Sequence, residues 1–170
     1  MIEEISRTYL EIKSINNLHE VKKPMGNYSV NLVNPTDFQL NKFLYKQIGQ
    51  KYFWKDRLEW SNENWIEYVS DKKLSTYVLK NDDEFIGYFE LIFHETKSEA
   101  EIAYFGILED YYGKKLGGYL LSYAIKKAFE LNIKRIWLHT CSLDHKNALK
   151  NYLSRGMVIF KSEISKIKVA

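Results

Sequence analysis

The chain has 170 residues, of which 45% are hydrophobic and 15% aromatic, and its formal net charge at pH 7 is +3. A chain of this length buries a sizeable core, and we expect one domain over residues 1–170. The 25 Lys and Arg residues and the 22 Asp and Glu residues are scattered along the chain. This mixture argues against nucleic acid as a partner.

The positions of the cysteine, the histidines and the apolar residues argue against a disulfide-bonded, a metal-binding or a membrane-spanning protein. Cys141 is the only cysteine and the four histidines are scattered, so we expect no internal disulfide and no metal site. The longest apolar runs are shorter than the roughly 18 residues that span a bilayer. The N-terminus MIEEISRTYL lacks a basic segment followed by an apolar one. We therefore expect a cytoplasmic protein without a membrane partner.

The first half of the chain begins with alternating residues that predict strands over 7–15 and 28–33. Asn34 and Pro35 have the pattern of an N-cap followed by the first helical residue, and the apolar stripe behind them ends near Gly49. The sequence therefore predicts a first helix after the second strand.

An aromatic segment follows, in which YFWKDRLEW (52–60) groups aromatic side chains around Lys55 and Arg57. Ser61 predicts the N-cap of a second short helix. Aromatic residues at such spacing are most often part of a core. A pocket for a cationic or aromatic substrate is the alternative.

The second half predicts three antiparallel strands, then helix, strand, helix and strand, which is a mixed α/β (α+β) layout. We expect a right-handed crossover after the third of these strands, so that the strand at 135–140 runs parallel to the strand at 99–108. The predicted strands cover 75–80, 85–94, 99–108, 135–140 and 157–164, and the predicted helices cover 114–132 and 144–154.

The segment YGKKLGG (112–118) opens the longest predicted helix, where unpaired N–H groups and the helix dipole favour an anion. It matches neither the Walker loop nor G-x-G-x-x-G. It resembles the acetyl-CoA pyrophosphate loop of the GNAT family of N-acetyltransferases, whose pattern is Gln or Arg, two residues, Gly, one residue, and Gly or Ala. Tyr112 stands at the Gln or Arg position and Lys115 at the first Gly position.

The flanking sequence is similar to the same family over residues 74–160. Glu101 lies eleven positions before Tyr112, where some GNAT enzymes carry a general-base glutamate. Asn147, Ala148 and Tyr152, followed by the segment RGM (155–157), resemble the closing helix of the family.

The resemblance implies a GNAT-like central mixed, mostly antiparallel sheet of about six or seven strands flanked by about four helices. It implies an acetyl-CoA-binding core over 74–160 and an acceptor-side region over 1–73. The implied activity is transfer of acetyl from acetyl-CoA to a primary amine of a small molecule or peptide, by direct attack in a ternary complex.

This chemistry needs an acid and a base. An amine with a pKa of about 10.4 is almost wholly protonated at pH 7 and cannot attack a thioester, so a carboxylate helps. Glu101 is the first candidate and Glu90, on the neighbouring strand, is the second, since strand adjacency brings both toward one cleft. A salt bridge or an outward-facing charge is the structural alternative for each.

The resemblance assigns the proton for the departing thiolate to Tyr152, whose alternative is a packed ring with its hydroxyl at the surface. It assigns the strand segment 105–107, with a bulge at Gly106, to pantetheine and to the developing oxygen charge. The residues expected to contact acetyl-CoA are Phe105, Gly106, Ile107, Tyr112, Gly113, Lys114, Lys115, Leu116, Gly117, Gly118, Asn147 and Tyr152.

Two other functions remain open on the sequence. One is a non-catalytic CoA-binding or protein-interaction module with the GNAT fold, motivated by the departures at Tyr112 and Lys115. The other is a nucleic-acid-binding domain using lysines at the helix ends, against which the modest net charge counts. The identity of the acceptor amine is left open, as is the oligomeric state, with a homodimer among the alternatives.

Overall fold

Seven strands and four helices make up the fold of the computed structural model, which describes residues 1–168. The strands are β1 (Ile2–Ile12), β2 (Tyr28–Leu32), β3 (Leu74–Asn81), β4 (Glu84–His94), β5 (Glu99–Ile107), β6 (Arg135–Cys141) and β7 (Val158–Lys168). The helices are α1 (Phe38–Gly49), α2 (Asn62–Val69), α3 (Leu116–Phe129) and α4 (Ala148–Ser154). None of these helices is long and apolar enough to cross a membrane.

The strands form one sheet in the order β2-β3-β4-β5-β6-β1-β7. The β5–β6 pair is parallel and the other pairs are antiparallel, so the predicted mixed, mostly antiparallel sheet is confirmed. The N-terminal strand β1 lies between β6 and β7, with Arg7 opposite Cys141 on one side and Glu163 on the other. This placement brings Arg7 beside the end of β6, one strand in from the edge of the sheet.

The starts of two helices, α1 and α4, differ from the sequence expectation. Asp37, not Asn34, caps α1 by accepting the N–H groups of Gln39 and Leu40. Asp144 does not cap α4; it accepts the Thr140 hydroxyl and a backbone N–H in the preceding turn. Helix α4 starts later, at Ala148.

The first strand is also displaced from its predicted range of 7–15. It begins at Ile2 and ends at Ile12 because Ser14 starts a short 3-10 helix, where its hydroxyl accepts the Asn16 N–H. The helix predicted over 114–132 begins at Leu116, since Lys115 has a left-handed backbone.

The sheet is covered on both faces. Helices α3 and α4 pack on one face over a core that includes Leu120, Phe89 and Ile136, all fully buried. Helices α1 and α2 cover the other face with Tyr45 and Trp65, also fully buried. Both faces thus exclude water except where the sheet itself opens.

That opening lies between β5 and β6, which pair only from Glu99↔Arg135 to Glu101↔Trp137. Beyond these pairs the two strands diverge. A bulge in β5 falls at Ala103, between the residues paired with Glu90 and Leu91, and not at Gly106 as expected. Gly106 instead allows close packing of β5 against α1, because a side chain at this position would overlap Ile48.

Candidate active site

A cavity of about 700 Å³ fills the gap between the diverging strands. Its lining comes from both faces of the sheet, with Glu101, Tyr104 and His139 from the α1–α2 face and Phe105 and Tyr152 from the α3–α4 face. The cavity therefore passes through the sheet. A long ligand on one side can present a reactive group to a second ligand on the other.

The backbone of β5 beside the gap is free to pair with a ligand. The Leu108 N–H donates to the Ile86 carbonyl on β4, at 2.7 Å. Because peptide groups alternate along a strand, those of Phe105 and Ile107 point away from β4, toward the gap. An extended ligand can add there as an extra strand.

The loop before α3 has the backbone shape of an anion site. Gly113 and Lys115 have φ angles of +79° and +61°, and no side chain caps the helix. The N–H groups of the first turn, from Leu116 to Gly118, are therefore left without helical or side-chain partners. Lys115 adopts the left-handed conformation that favours glycine, so its replacement of the family's glycine preserves the turn.

The loop residues do not all reach the cavity. Tyr112, Gly113, Lys115, Leu116 and Gly117 line it, as the resemblance implied, whereas Lys114 and Gly118 do not. A side chain at Gly118 would overlap Arg155 and approach Val21 Cγ2 at 2.9 Å. Close packing therefore accounts for this glycine.

Tyr112 joins the loop to the acceptor-side region. Its hydroxyl lies 2.9 Å from that of Tyr52, and both rings meet the His145 ring edge to face, with centroids 4.7 and 5.7 Å away. Burial, followed by the hydrogen bond to Tyr52, raises the pKa of Tyr112 above its usual value. The neutral side chain thus serves as a bridge where the family has Gln or Arg.

Glu101 lies on the cavity wall with 19% of its side chain exposed. Its Oε1 is 3.0 Å from His94 Nε2, and the partly exposed His94 ring stacks on Trp137. The carboxylate is thus open to the cavity on one side and joined to a group near solvent on the other. This is a workable place for a proton acceptor.

Glu90 does not share that cleft, which corrects the expectation from strand adjacency. Its side chain is 0% exposed and does not line the cavity. It accepts hydrogen bonds from Arg57 Nη1 at 2.9 and 3.1 Å, from the Tyr68 hydroxyl at 2.8 Å and from Asn41 Nδ2 at 2.9 Å. With its oxygens occupied by these donors, Glu90 is a fixed counter-ion beneath the cavity wall.

Arg57 is the partner of Glu90 that sequence reasoning did not identify. Its side chain is 6% exposed, and its guanidinium carbon lies 4.0, 4.3 and 4.8 Å from the ring centroids of Tyr68, Tyr104 and Trp60. Burial, the largest influence, acts to lower the pKa of Arg57, but the charge of Glu90, its hydrogen bond and the neighbouring Tyr68 and Tyr104 together raise the pKa, so the group stays charged. A glutamate inside the apolar strand YFEL and an arginine among aromatic residues are the signals that could have paired them.

Tyr152 reaches the cavity from α4 on the opposite face. It is 7% exposed, its ring meets Phe105 edge to face at 6.3 Å, and its hydroxyl makes no hydrogen bond within residues 1–168. Burial, followed by the charge of Asp144, raises the pKa of its phenol above 10. Asn147, just before α4, also lines the cavity, and its N–H donates to His145 Nδ1 at 3.0 Å.

Comparison with known proteins decides the family. The model of the Acetyltransferase (GNAT) family matches residues 39–157, which is more than half of the chain. The chain belongs to the GNAT family. A search of curated proteins finds no match.

Solved structures give the same fold at low sequence identity. A GCN5-related N-acetyltransferase from Sphaerobacter thermophilus matches with a TM-score of 0.74 and 12% identity, over 96% of this chain and 51% of that one. One from Kribbella flavida matches with a TM-score of 0.65 and 16% identity, over 97% and 58%. The GNAT chain described here therefore spans little more than half the length of these two proteins.

A third solved structure is an aminoglycoside acetyltransferase from an uncultured soil metagenomic sample, in complex with trehalose. It matches with a TM-score of 0.63 and 12% identity, over 76% of this chain and 87% of that one. At this level of identity the likeness establishes the fold of the GNAT chain.

The position of Cys141 in this GNAT chain disfavours a reactive thiolate. It lines the cavity on the same strand face as His139, but burial, followed by the charge of Asp144, raises the pKa of its thiol. Within residues 1–168, no three Asp, Glu, His or Cys side chains converge in an arrangement that would hold a metal ion. The carboxylate of Glu101 and the phenol of Tyr152 both line the cavity, on opposite faces of the sheet.

Proposed function

We propose that the protein transfers the acetyl group of acetyl-CoA to a primary amine of a small molecule or peptide, by direct attack in a ternary complex. The observation that carries this proposal is the cavity through the sheet, with an uncapped anion loop on one face and an accessible carboxylate on the other. Two substrates entering from opposite faces meet between β5 and β6.

Acetyl-CoA occupies the α3 side of the cavity. The first-turn N–H groups of α3 and the Lys115 ammonium bind its diphosphate. The outward peptide groups of Phe105 and Ile107 pair with its pantetheine arm, and Asn147 lies beside the same path. In this proposal residues 74–160 form the acetyl-CoA-binding core of one domain.

Glu101 and Tyr152 manage the protons. Glu101 takes one proton from the bound ammonium, and the free nitrogen attacks the thioester carbonyl carbon. A backbone N–H of β5 that faces the gap donates a hydrogen bond to the carbonyl oxygen, on which negative charge develops. As the carbon–sulfur bond breaks, Tyr152 supplies a proton to the leaving thiolate. The attacking nitrogen gives up its second proton to solvent as the amide forms, and the phenol is restored from solvent.

The acceptor side is formed by residues of the 1–73 region, whose aromatic segment lines the cavity with Phe53, Trp54 and Trp60. They leave room for a ligand next to Glu101 rather than filling the core completely. The α2 helix, by contrast, buries Trp65 and Val69 as the sequence pattern predicts.

The test is release of free thiol from acetyl-CoA across a panel of amines, preceded by thermal stabilisation with CoA. We expect CoA to raise the Tm and at least one amine to release thiol. No Tm change at millimolar CoA would rule out the proposal. Stabilisation without thiol release on any amine would favour the non-catalytic module instead.

A further inference from the structure

Arg57 carries hydrogen-bond donors that neither the fold nor the proposed proton transfers use. Its Nη1 donates to both oxygens of Glu90. Within residues 1–168, its Nε and Nη2 make no hydrogen bond, although the side chain is only 6% exposed and lines the cavity. Neither nitrogen is a fully buried atom without a partner, so both are reached from the cavity, where an acceptor on a ligand can bind them.

The free edge of Arg57 is held rigidly. Glu90 is itself fixed by Tyr68 at 2.8 Å and Asn41 at 2.9 Å, and aromatic rings pack against the guanidinium plane. Nε and Nη2 form the side of the guanidinium that binds a carboxylate through two parallel hydrogen bonds. This fork is therefore oriented before any ligand arrives.

The surroundings of the fork select the rest of the ligand. Trp54, Trp60 and Tyr104 line the same part of the cavity and offer flat apolar surface. Lys55 and Arg7 also line the cavity and add positive charge to a wall that carries the acidic Asp56 and Glu101. A carboxylate attached to an aromatic or apolar body fits both features.

The spacing links this fork to the acetyl transfer. On β4, Glu90 pairs with Tyr104 and Ile92 pairs with Glu101. Positions two residues apart on a strand are about 7 Å apart. A compact molecule can therefore place an amine at Glu101 and a carboxylate at Arg57.

We propose that the acceptor is an amine that also carries a carboxylate and an aromatic or apolar body, as aromatic amino acids do. Nε and Nη2 of Arg57 bind the carboxylate, which makes Arg57 a specificity-determining residue. This inference rests on the proposed acetyl transfer for its catalytic meaning, but the binding site itself stands on the cavity and the free guanidinium edge.

Matched ligands test the site on the unaltered protein. Binding of phenylalanine, phenylalaninamide and phenethylamine is measured by calorimetry with CoA present. All three share the amine and the ring, and only phenylalanine has the carboxylate. We expect phenylalanine to bind about 10- to 100-fold more tightly than the other two, the range for a charge-assisted pair.

A paired substitution tests the role of Arg57. Arg57→Met alone would leave the Glu90 carboxylate buried without its counter-ion, so Arg57→Met is combined with Glu90→Gln to remove both charges. The preference for phenylalanine over its amide should fall to about 2-fold or less, with stabilisation by CoA unchanged. Lys46→Met, an exposed substitution on α1 outside the cavity, should keep the full preference.

The outcomes separate the two proposals. Equal binding of phenylalanine and phenylalaninamide to the unaltered protein, or no binding of phenylalanine at millimolar concentration, overturns the carboxylate site whatever the turnover. Preferential binding of phenylalanine without thiol release from acetyl-CoA would confirm the site and contradict the acetyl transfer. Thiol release with phenethylamine at the same efficiency as with phenylalanine would overturn only the carboxylate site.

Discussion

The two halves of the cavity are built from different parts of the chain. The α3 half presents main-chain groups, namely the uncapped first turn after Lys115 and the free peptide groups of Phe105 and Ile107. The acceptor half presents side chains, with Arg57 and Glu101 set among aromatic rings. A main-chain site depends on backbone shape and tolerates Lys in place of Gly, whereas a side-chain site depends on the identity of a few residues.

The carboxylates of Glu101 and Glu90 also differ from each other, in their access to the cavity and in their number of partners. Glu101 has one protein partner and faces the cavity. Glu90 has Arg57, Tyr68 and Asn41 and no exposed surface. The proposed proton acceptor needs access to its substrate, while a buried counter-ion needs saturated hydrogen bonding, so one fold gives the same residue type two different environments.

The largest expected effect is on turnover. Glu101→Gln removes the proton acceptor, so kcat at neutral pH should fall about 10²- to 10⁴-fold while acetyl-CoA binding stays within a factor of two to three. Steady-state thiol release and calorimetry measure the two quantities. Glu99→Gln, two residues earlier on β5 and outside the cavity, is the matched control. Full activity of Glu101→Gln would show that another group is the base.

The buried pair gives the largest effect on stability. Arg57→Met leaves the Glu90 carboxylate without its counter-ion, so the free energy of unfolding should fall by about 3–5 kcal/mol in urea denaturation. Adding Glu90→Gln to Arg57→Met should restore most of the lost free energy of unfolding. Lys126→Met, which breaks the exposed pair with Glu20, should cost no more than about 1 kcal/mol. Equal losses for Arg57→Met and Lys126→Met would contradict the contrast between buried and exposed charge.

Tyr152→Phe tests the proton donor with a smaller expected effect. Turnover should fall about 10- to 100-fold at nearly constant acetyl-CoA binding. Burial and the charge of Asp144 raise the pKa of this phenol. The phenol therefore stays protonated, and its titration should cause no loss of kcat at any pH up to about 10. A pH profile of kcat measures this, and an unchanged kcat in Tyr152→Phe would assign the proton to water.

The smallest expected effect concerns backbone shape at Lys115. Its φ of +61° costs roughly 1 kcal/mol in a residue with a Cβ. Lys115→Gly should therefore raise the Tm by about 2–4 °C, and Lys115→Val should lower it, as measured by calorimetry. Both variants lose the same charge, so CoA affinity should drop further in Lys115→Val if the diphosphate depends on the turn. Equal CoA affinity in the two variants would show that CoA binding does not depend on the backbone shape at position 115.

Periodicity and turn chemistry predicted most of the fold. The meander, the crossover to β6 and the helix after the loop follow from local patterns, and Ser61 caps α2 through a capping box with Asn64. The predicted start of the last helix at residue 144 was wrong, because the Asp144 carboxylate accepts the Thr140 hydroxyl and the Cys141 N–H in the preceding turn. Local propensity cannot decide between such partners.

The candidate site was predicted in part. The loop residues, Glu101 and Tyr152 were expected from the resemblance to the GNAT family, and the fold places Glu101, Tyr152 and all of the loop except Lys114 and Gly118 around one cavity. Glu90 was wrongly expected in the same cleft. Its burial depends on Asn41 and Arg57, which lie 49 and 33 positions away along the chain. Sequence spacing carries no information on such distant pairs.

By itself the sequence determined the order of strands and helices and the residues able to carry acid, base and anion-binding chemistry. These follow from hydrophobic period, turn residues and functional-group chemistry, which act over a few neighbouring residues. The tertiary structure alone decided the insertion of β1 between β6 and β7, the divergence of β5 from β6, and the separate roles of Glu90 and Glu101. Each depends on contacts between distant segments, where packing and the cost of burying charge select among locally equivalent alternatives.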